Sequence, residues 1–456
     1  MIDDRAWRDW EAALYARVAT LRRGELDADT RRRAALVVVD DLAAMVAAVA
    51  EPEVAALAAT AGRVAPSPEA AIVGGGRAGR GWAALVNAVA AGWNELDEGY
   101  RPATCHGGLY ALPAAMAEVE AVGGTVGDLL AALVGGYEVS TAYARVMPAP
   151  RPLVWHPHAT LSPIGAAAAV SVARGADAEG IAAAAHLAAS LAAAGPFRHA
   201  IDGITARNAW AGHGALTGFT AVEFAAAGLA ADGATPLDVF HVGFGYPVNS
   251  SELDAQPSPW AIHDGYHKQY ACCQYLHSSV EAALQLASGP LRGINPGDIA
   301  EVVVETHPLA EALDDADPHT VLGGKFSLPH AVAAVLVRGN AAPETFGLAH
   351  LHDEQIRGLR QRIEIAPFPG PLDPPADRPG RVSVRLRSGH AHVAECVSAV
   401  GGPDRPLTDG DVLEKAERLT AVRAPRFAGV ASRLLAGEIS DDAVWAEVLD
   451  EMWSTP

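Results

Sequence analysis

The 456-residue chain carries 54 acidic against 34 basic side chains, a formal charge of -20, and half of it is apolar with only 19% charged. That balance excludes a disordered chain and argues against a nucleic-acid partner, because phosphate contacts need basic patches and none is visible. Alanine dominates the apolar set, so closely packed helices and a large core are expected, with length for two or three domains. No apolar run approaches the roughly 18 uncharged residues of a membrane span, and the opening MIDDRAWRDWEAAL has no signal-peptide core. Cys105, Cys272, Cys273 and Cys396 form neither a C-x-x-C pair nor a disulfide framework. Free thiols in the cytoplasm are the expectation.

The first helix places Trp7, Trp10, Leu14, Val18 and Leu21 on one face. A second runs through RRRAALVVVDDLAAMVAAVA, capped at Asp29-Thr30, with Asp40-Asp41 in apolar surroundings. A β-like piece near 69–76 interrupts; helices follow near 82–93, 109–121, 126–147, 161–174, 177–194 and 208–227. Composition shifts at Asp254-Ala255-Gln256-Pro257-Ser258-Pro259, read as a linker. Beyond it, IAEVVVETH and RVSVRLRSGHAHVAECV read as strands, the latter a hairpin around Ser388-Gly389, interleaved with helices near 270–287 and 327–337. After Gly401-Gly402-Pro403 the chain returns to helix, with a capping box at Thr408–Asp411 and a cap at Ser440.

The densest chemistry lies in NELDEGYRPATCHGG, which sets Glu95, Asp97, Glu98, Tyr100, Arg101, Cys105 and His106 in a connection between two apolar helices. His156-Pro157-His158 lies near a helix start, an environment that lowers imidazole basicity and favours anions. A metal bound there with His106 is disfavoured by the proline and the missing ligand spacing. Arg207-Asn208 opens another helix, where a guanidinium could grip a carboxylate. Only Lys268, Lys325 and Lys415 are lysine, so each draws scrutiny; Lys268 sits among histidines, tyrosines and Cys272-Cys273, whereas Lys415 reads as a solvated helix face. GGGRAG at Gly74–Gly79 matches a dinucleotide fingerprint but precedes helices rather than a βαβ unit, so a surface turn is expected and no nucleotide.

In chain order, VVVDDLAAMVAAV, AALVNAVAAGWNELDEGY, CHGGLYALPAAMAEVEAVGG, GGYEV, WHPHATLSPIGAAAA, RNAWAGHGALTGFTA, HKQYACCQYLH and KFSLPHAVAAVLVRG resemble the MmgE/PrpD family over most of the chain. That family includes 2-methylcitrate dehydratase, cis-aconitate decarboxylase and iminodisuccinate epimerase. The resemblance implies a mainly α fold: an all-helical domain from 1–255, an inserted α+β lid from 260–403, and helices of 404–456 that complete the first domain. It also implies a homodimer without cofactors or metal. Carried over by motif, the acidic loop falls on Glu95, Asp97 and Glu98, the loop histidine on His106, a second histidine on His156, and the lid lysine on Lys268. Three positions depart: Arg207 replaces a lysine, His330 a tyrosine, and CHGG an H-P-S-G loop; His158 also stands for a threonine.

The implied chemistry makes a carbanion-like centre next to a carboxylate, which needs fixed cations and a positioned base. Arg207 and Lys268 are assigned to substrate carboxylates, His106 or His156 to the proton, and Glu95 or Asp97 to orienting and tuning a partner. His158, His330, Tyr100 and Cys273 complete the expected binding set. Dehydration of a small di- or tricarboxylate is the first reading; epimerisation or decarboxylation in the same pocket, or a silent carboxylate-binding homologue, are the alternatives. Adjacent Cys272-Cys273 argues against an iron–sulfur route.

Overall fold

Helices made of Ala, Gly and Val present no broad polar face, so they need cover on every side. The computed structural model describes residues 4–21, 26–254 and 259–453. Helices Gly107–Ala121, Val126–Val146 and Ser162–Ala173 are buried along nearly their whole lengths. Around them pack Ala28–Ala48, Arg80–Trp93, Ala178–Ser190 and Ala209–Ala226. Their approach is close enough to require glycine: a Cβ at Gly136 would lie 2.5 Å from the Gly165 carbonyl oxygen.

Most helix ends follow the local chemistry, with small corrections. Asp27, not Asp29-Thr30, caps Ala28–Ala48; its extended backbone aims the carboxylate at the Thr30 amide, 2.9 Å away. Thr408 and Asp411 form the expected capping box of Asp409–Thr420. Ser440 caps nothing: its hydroxyl accepts from the Asp442 amide in a turn, and the last helix starts only at Trp445. The helix expected to reach residue 194 ends at Ser190.

Strands β1 (Ala70–Ala71) and β2 (Arg77–Ala78) form a hairpin whose turn, Gly74–Gly76, has φ of 88°, 141° and 86°. The glycine motif is therefore a turn leading into the helix Arg80–Trp93. Strand β3 (Gly99–Tyr100) pairs antiparallel with β4 (Gly265–Tyr266), tying the acidic loop to the segment that bears Lys268.

The mixed sheet runs β6 (Ile363–Pro367), β5 (Ile299–Thr306), β7 (Gly380–Leu386), β8 (Ala391–Cys396), with β5 and β6 parallel and the other pairs antiparallel. The expected β7–β8 hairpin is present, turning at Gly389 with φ 92°. Strand β6 was not expected, because IEIAP is short and ends in proline; pairing with the longer β5 makes it a strand. Helices His277–Ser288 and Leu328–Arg338 cover the sheet. Arg381 pairs with Glu305 and Glu395, and Arg385 with Glu301, across neighbouring strands at partly exposed positions.

Two apolar clusters result. One takes residues from Trp7 to Ile262 and again from Leu407 to Met452, so the last helices return to the first cluster. The other spans Tyr270 to Cys396 and recruits Ala44, Leu96, Phe197 and Ala200 from the first region. The fold is mainly helical with a small mixed sheet in the C-terminal region, as expected. Positions 255–258 of the expected linker lie outside the described residues. Among the described residues, no helix is long and apolar enough to cross a membrane.

Candidate active site

The helix Arg80–Trp93 runs out at Asn94, and the next residue turns sharply: Glu95 has φ 54°, the only positive value at a non-glycine among the described residues. Such a conformation costs about 1–3 kcal/mol and persists where contacts over-determine it. Here Glu95 Oε1 lies 2.5 Å from Arg207 and Oε2 3.1 Å from Lys268 Nζ. Asp97 Oδ1 takes a second Lys268 contact at 3.3 Å, and its Oδ2 lies 2.7 Å from His106 Nδ1. All four charged groups are buried. Burial opposes ionisation of Asp97, but Lys268 and then His106 outweigh it and hold the carboxyl well below its usual range. Burial likewise opposes a charge on Lys268, and Asp97 and Glu95 reverse it, keeping the ammonium protonated.

The rarity of lysine has a structural counterpart. Lys325 Nζ donates to Asn94 Oδ1 at 2.8 Å, Lys268 holds Glu95 and Asp97, and Lys415 Nζ donates to the Leu96 carbonyl at 2.8 Å. Every lysine of the chain thus ends on the loop Asn94–Asp97. This corrects the reading of Lys415 as solvated: it is 1% exposed and pairs with Asp40 at 2.6 Å, whose other oxygen lies 2.8 Å from His267 Nδ1. The helix pattern of VLEKAERL could not reveal an acid delivered by a helix far away in sequence.

His106 immediately precedes Gly107–Ala121 but makes no side-chain capping bond to it; its Nδ1 is 2.7 Å from Asp97 and 2.8 Å from the Glu98 carbonyl oxygen. Two acceptors at Nδ1 fix the proton there and leave Nε2 as the lone-pair nitrogen. His156 is placed differently. Arg207 Nε donates towards its Nε2 at 3.2 Å, and the His158 amide faces its Nδ1 at 3.2 Å. A neutral imidazole must carry a proton on one of these nitrogens, so only one contact is a hydrogen bond, and a second proton would oppose both donors. Burial, then Arg207, pushes the His156 pKa well below the usual value. His158 stands between the two, with ring centroids 4.8 Å from His106 and 4.4 Å from His156, and its Nδ1 shares a hydrogen bond with Tyr110.

Behind His106 sits a second carboxyl pair. The Glu98 side chain accepts from the Gly108 amide and the Tyr137 hydroxyl, and its own amide donates to Asp41 at 2.8 Å. Burial pushes Glu98 up to about 8, and Asp41 is raised by burial and by Glu98. Glycine at 108 permits this contact, since a Cβ would lie 2.7 Å from both carboxyl groups. The CHGG departure thus lets the helix start press against Asp41 and Glu98.

One cavity at the seam of the two apolar clusters is lined by Glu95, Tyr100, His106, His156, Arg207, Lys268 and Cys273 of the expected set. Tyr100 accepts from Arg145 at 2.9 Å, and burial pushes its hydroxyl up to about 12. Burial likewise raises the Cys273 thiol to about 12, so it lines the wall as a neutral group. Asp97 and His158 lie one layer behind, in contact with His106. His330 is not brought to the cavity: it is buried on Leu328–Arg338 with Nδ1 3.3 Å from Arg360, and Phe326 takes the lining position instead. Sequence reasoning missed Tyr266 and Arg378. Tyr266 is two residues from Lys268 in a stretch already notable for its chemistry, whereas Arg378 is one arginine of many in a proline-rich loop and gives no signal.

Asp97, His106 and His158 can each place one donor atom within 4.8 Å of the others, the outline of a cation site. Both Asp97 oxygens, however, are engaged by His106 Nδ1 and Lys268, and the ammonium and the Arg207 guanidinium oppose further positive charge. The donor set suits proton handling and anion binding. Comparison with known proteins agrees with the sequence motifs. Residues 12–246 match the MmgE/PrpD N-terminal domain and residues 270–432 the MmgE/PrpD C-terminal domain. Among curated proteins, none matches the chain significantly. With both domain models matched in order across the cavity just described, the chain belongs to the MmgE/PrpD family, whose members are generally enzymes.

Proposed function

We propose that the chain is a cofactor-independent lyase that removes the proton next to a carboxylate of a small di- or tricarboxylic acid and expels hydroxide, a dehydration. The observation that supports this most is the Asp97–His106 dyad, which leaves a lone pair on His106 Nε2 at a cavity lined by Arg207 and Lys268. His106 Nε2 takes the C–H proton, worth about 10²–10⁴-fold for a positioned base. The electron pair moves onto the adjacent carboxylate, and Arg207 and Lys268 stabilise the resulting enolate with dipoles and charges already in place. The electrons then return to form the C=C bond as the C–O bond breaks. Lys268 and Tyr266 both line the cavity in protonated form, and either supplies the proton that converts hydroxide to water.

An epimerase would need a second imidazole or equivalent base on the opposite face of the carbon. His156 is the other cavity histidine, and donors at both its nitrogens make it a poor proton acceptor, which favours dehydration. The test is incubation with citrate-like and succinate-like hydroxy acids in D₂O, followed by proton NMR. Loss of a C–H signal with a new vinyl proton is the expected result. Exchange of an α-proton without a new carbon skeleton would replace dehydration by epimerisation, and no exchange with any acid would mark a silent homologue.

A further inference from the structure

The two cations first assigned to the substrate already have partners. Glu95 spans Arg207 and Lys268, one oxygen to each, and Asp97 adds a second acid to Lys268. A third cation lines the same cavity without such a partner. Arg378 comes from the loop just before β7, in the sheet-bearing region, whereas Arg207 stands just before the helix Ala209–Ala226. Its neighbour Asp377 is directed elsewhere: both Asp377 oxygens hold Arg101, and the approach of one to Arg378 Nε is 3.8 Å, too long for a hydrogen bond. Arg378 instead donates to the neutral side chain of Gln274 and lies over the Tyr275 ring, 5.1 Å from its centroid. Its Nε is buried without a hydrogen-bond partner.

We infer that Arg378, oriented by Gln274 and Tyr275, binds a substrate carboxylate that Arg207 and Lys268 do not hold, so the cavity selects acids with at least two carboxylates. A planar guanidinium with an unengaged edge is suited to a carboxylate, and a stacked ring and an amide oxygen fix its plane before the ligand arrives. Burial, with the repulsion of Arg101, disfavours the charged form of Arg378, and a bound anion relieves both. Arg101 cannot substitute, because Asp377 engages it bidentately. The inference rests on the carboxylate-lyase reading and adds to it the residue that counts the carboxylates.

The test compares binding of succinate, malate and citrate with that of butyrate, by calorimetry, in the wild type, Arg378→Gln and Arg378→Lys. The expected result is a preference of at least about tenfold for the acids with more than one carboxylate in the wild type, abolished in Arg378→Gln while butyrate affinity changes less than about twofold. Arg378→Lys keeps the charge without the fork and should retain only part of the preference, and it decides the matter if the glutamine variant does not fold. An unchanged preference in the variants, or none in the wild type, overturns the assignment and leaves the lyase reading standing. If no carboxylate binds the wild type at all, both fall.

Discussion

The loop Asn94–Asp97 and the outer face of the sheet use the same ion pairs to opposite ends. On the sheet, Arg385 and Glu301 meet at 2.8 Å with side chains 55% and 42% exposed, and water screens what they gain. In the loop, Glu95, Asp97, Lys268 and Arg207 meet at similar distances with side chains 0–2% exposed. Charges withdrawn from water are costly alone and strongly coupled together. The sheet pairs keep a strand surface solvated, whereas the loop pairs hold a preset electric field around a cavity.

That contrast can be broken at its most buried member. Lys415→Met leaves Asp40 facing only His267 and should destabilise the fold by roughly 3–5 kcal/mol in denaturant unfolding, as expected when one partner of a buried pair is removed. A loss below about 1 kcal/mol would mean that the group is not energetically buried. His106→Gln tests function within the same network: proton exchange or turnover should fall about 10²–10⁴-fold with little change in melting temperature. Activity surviving intact would remove His106 as the base.

A finer test uses pH. The Glu98 carboxyl titrates near 8 in the fold and near 4.5 when unfolded, so between those values the unfolded chain binds fewer protons. Its contribution is therefore fully present below about 4.5 and lost as pH rises through about 8. Glu98→Gln, which imitates the neutral acid, should flatten the decline in melting temperature across that window; an unchanged slope would assign the decline to other groups. The smallest effect belongs to the sheet, where Arg385→Ala should cost about 1 kcal/mol or less, and less still in high salt.

Much of this architecture is written locally in the chain. Thr408 and Asp411 sit three residues apart and announce a helix start, and Ser388-Gly389 between alternating strands announces a hairpin. The acidic loop and His106 are near neighbours in sequence, so their meeting could be expected. Contacts assembled only by folding were hidden. Lys415 reads as solvated because its acid, Asp40, belongs to a distant helix; β6 depends on β5; and Arg378 carries no pattern to set it apart. His330 followed a family motif onto a helix face that turns towards Arg360 rather than the cavity.

With Lys268, Lys325 and Lys415 each 3% exposed or less, the native molecule offers no side-chain amine to solvent. Acylating reagents aimed at primary amines would mark these positions only when the walls around the acidic turn part. The rate of such labelling at Lys268, which lines the cavity, is thus a direct clock for its opening, with a bound carboxylate expected to slow it.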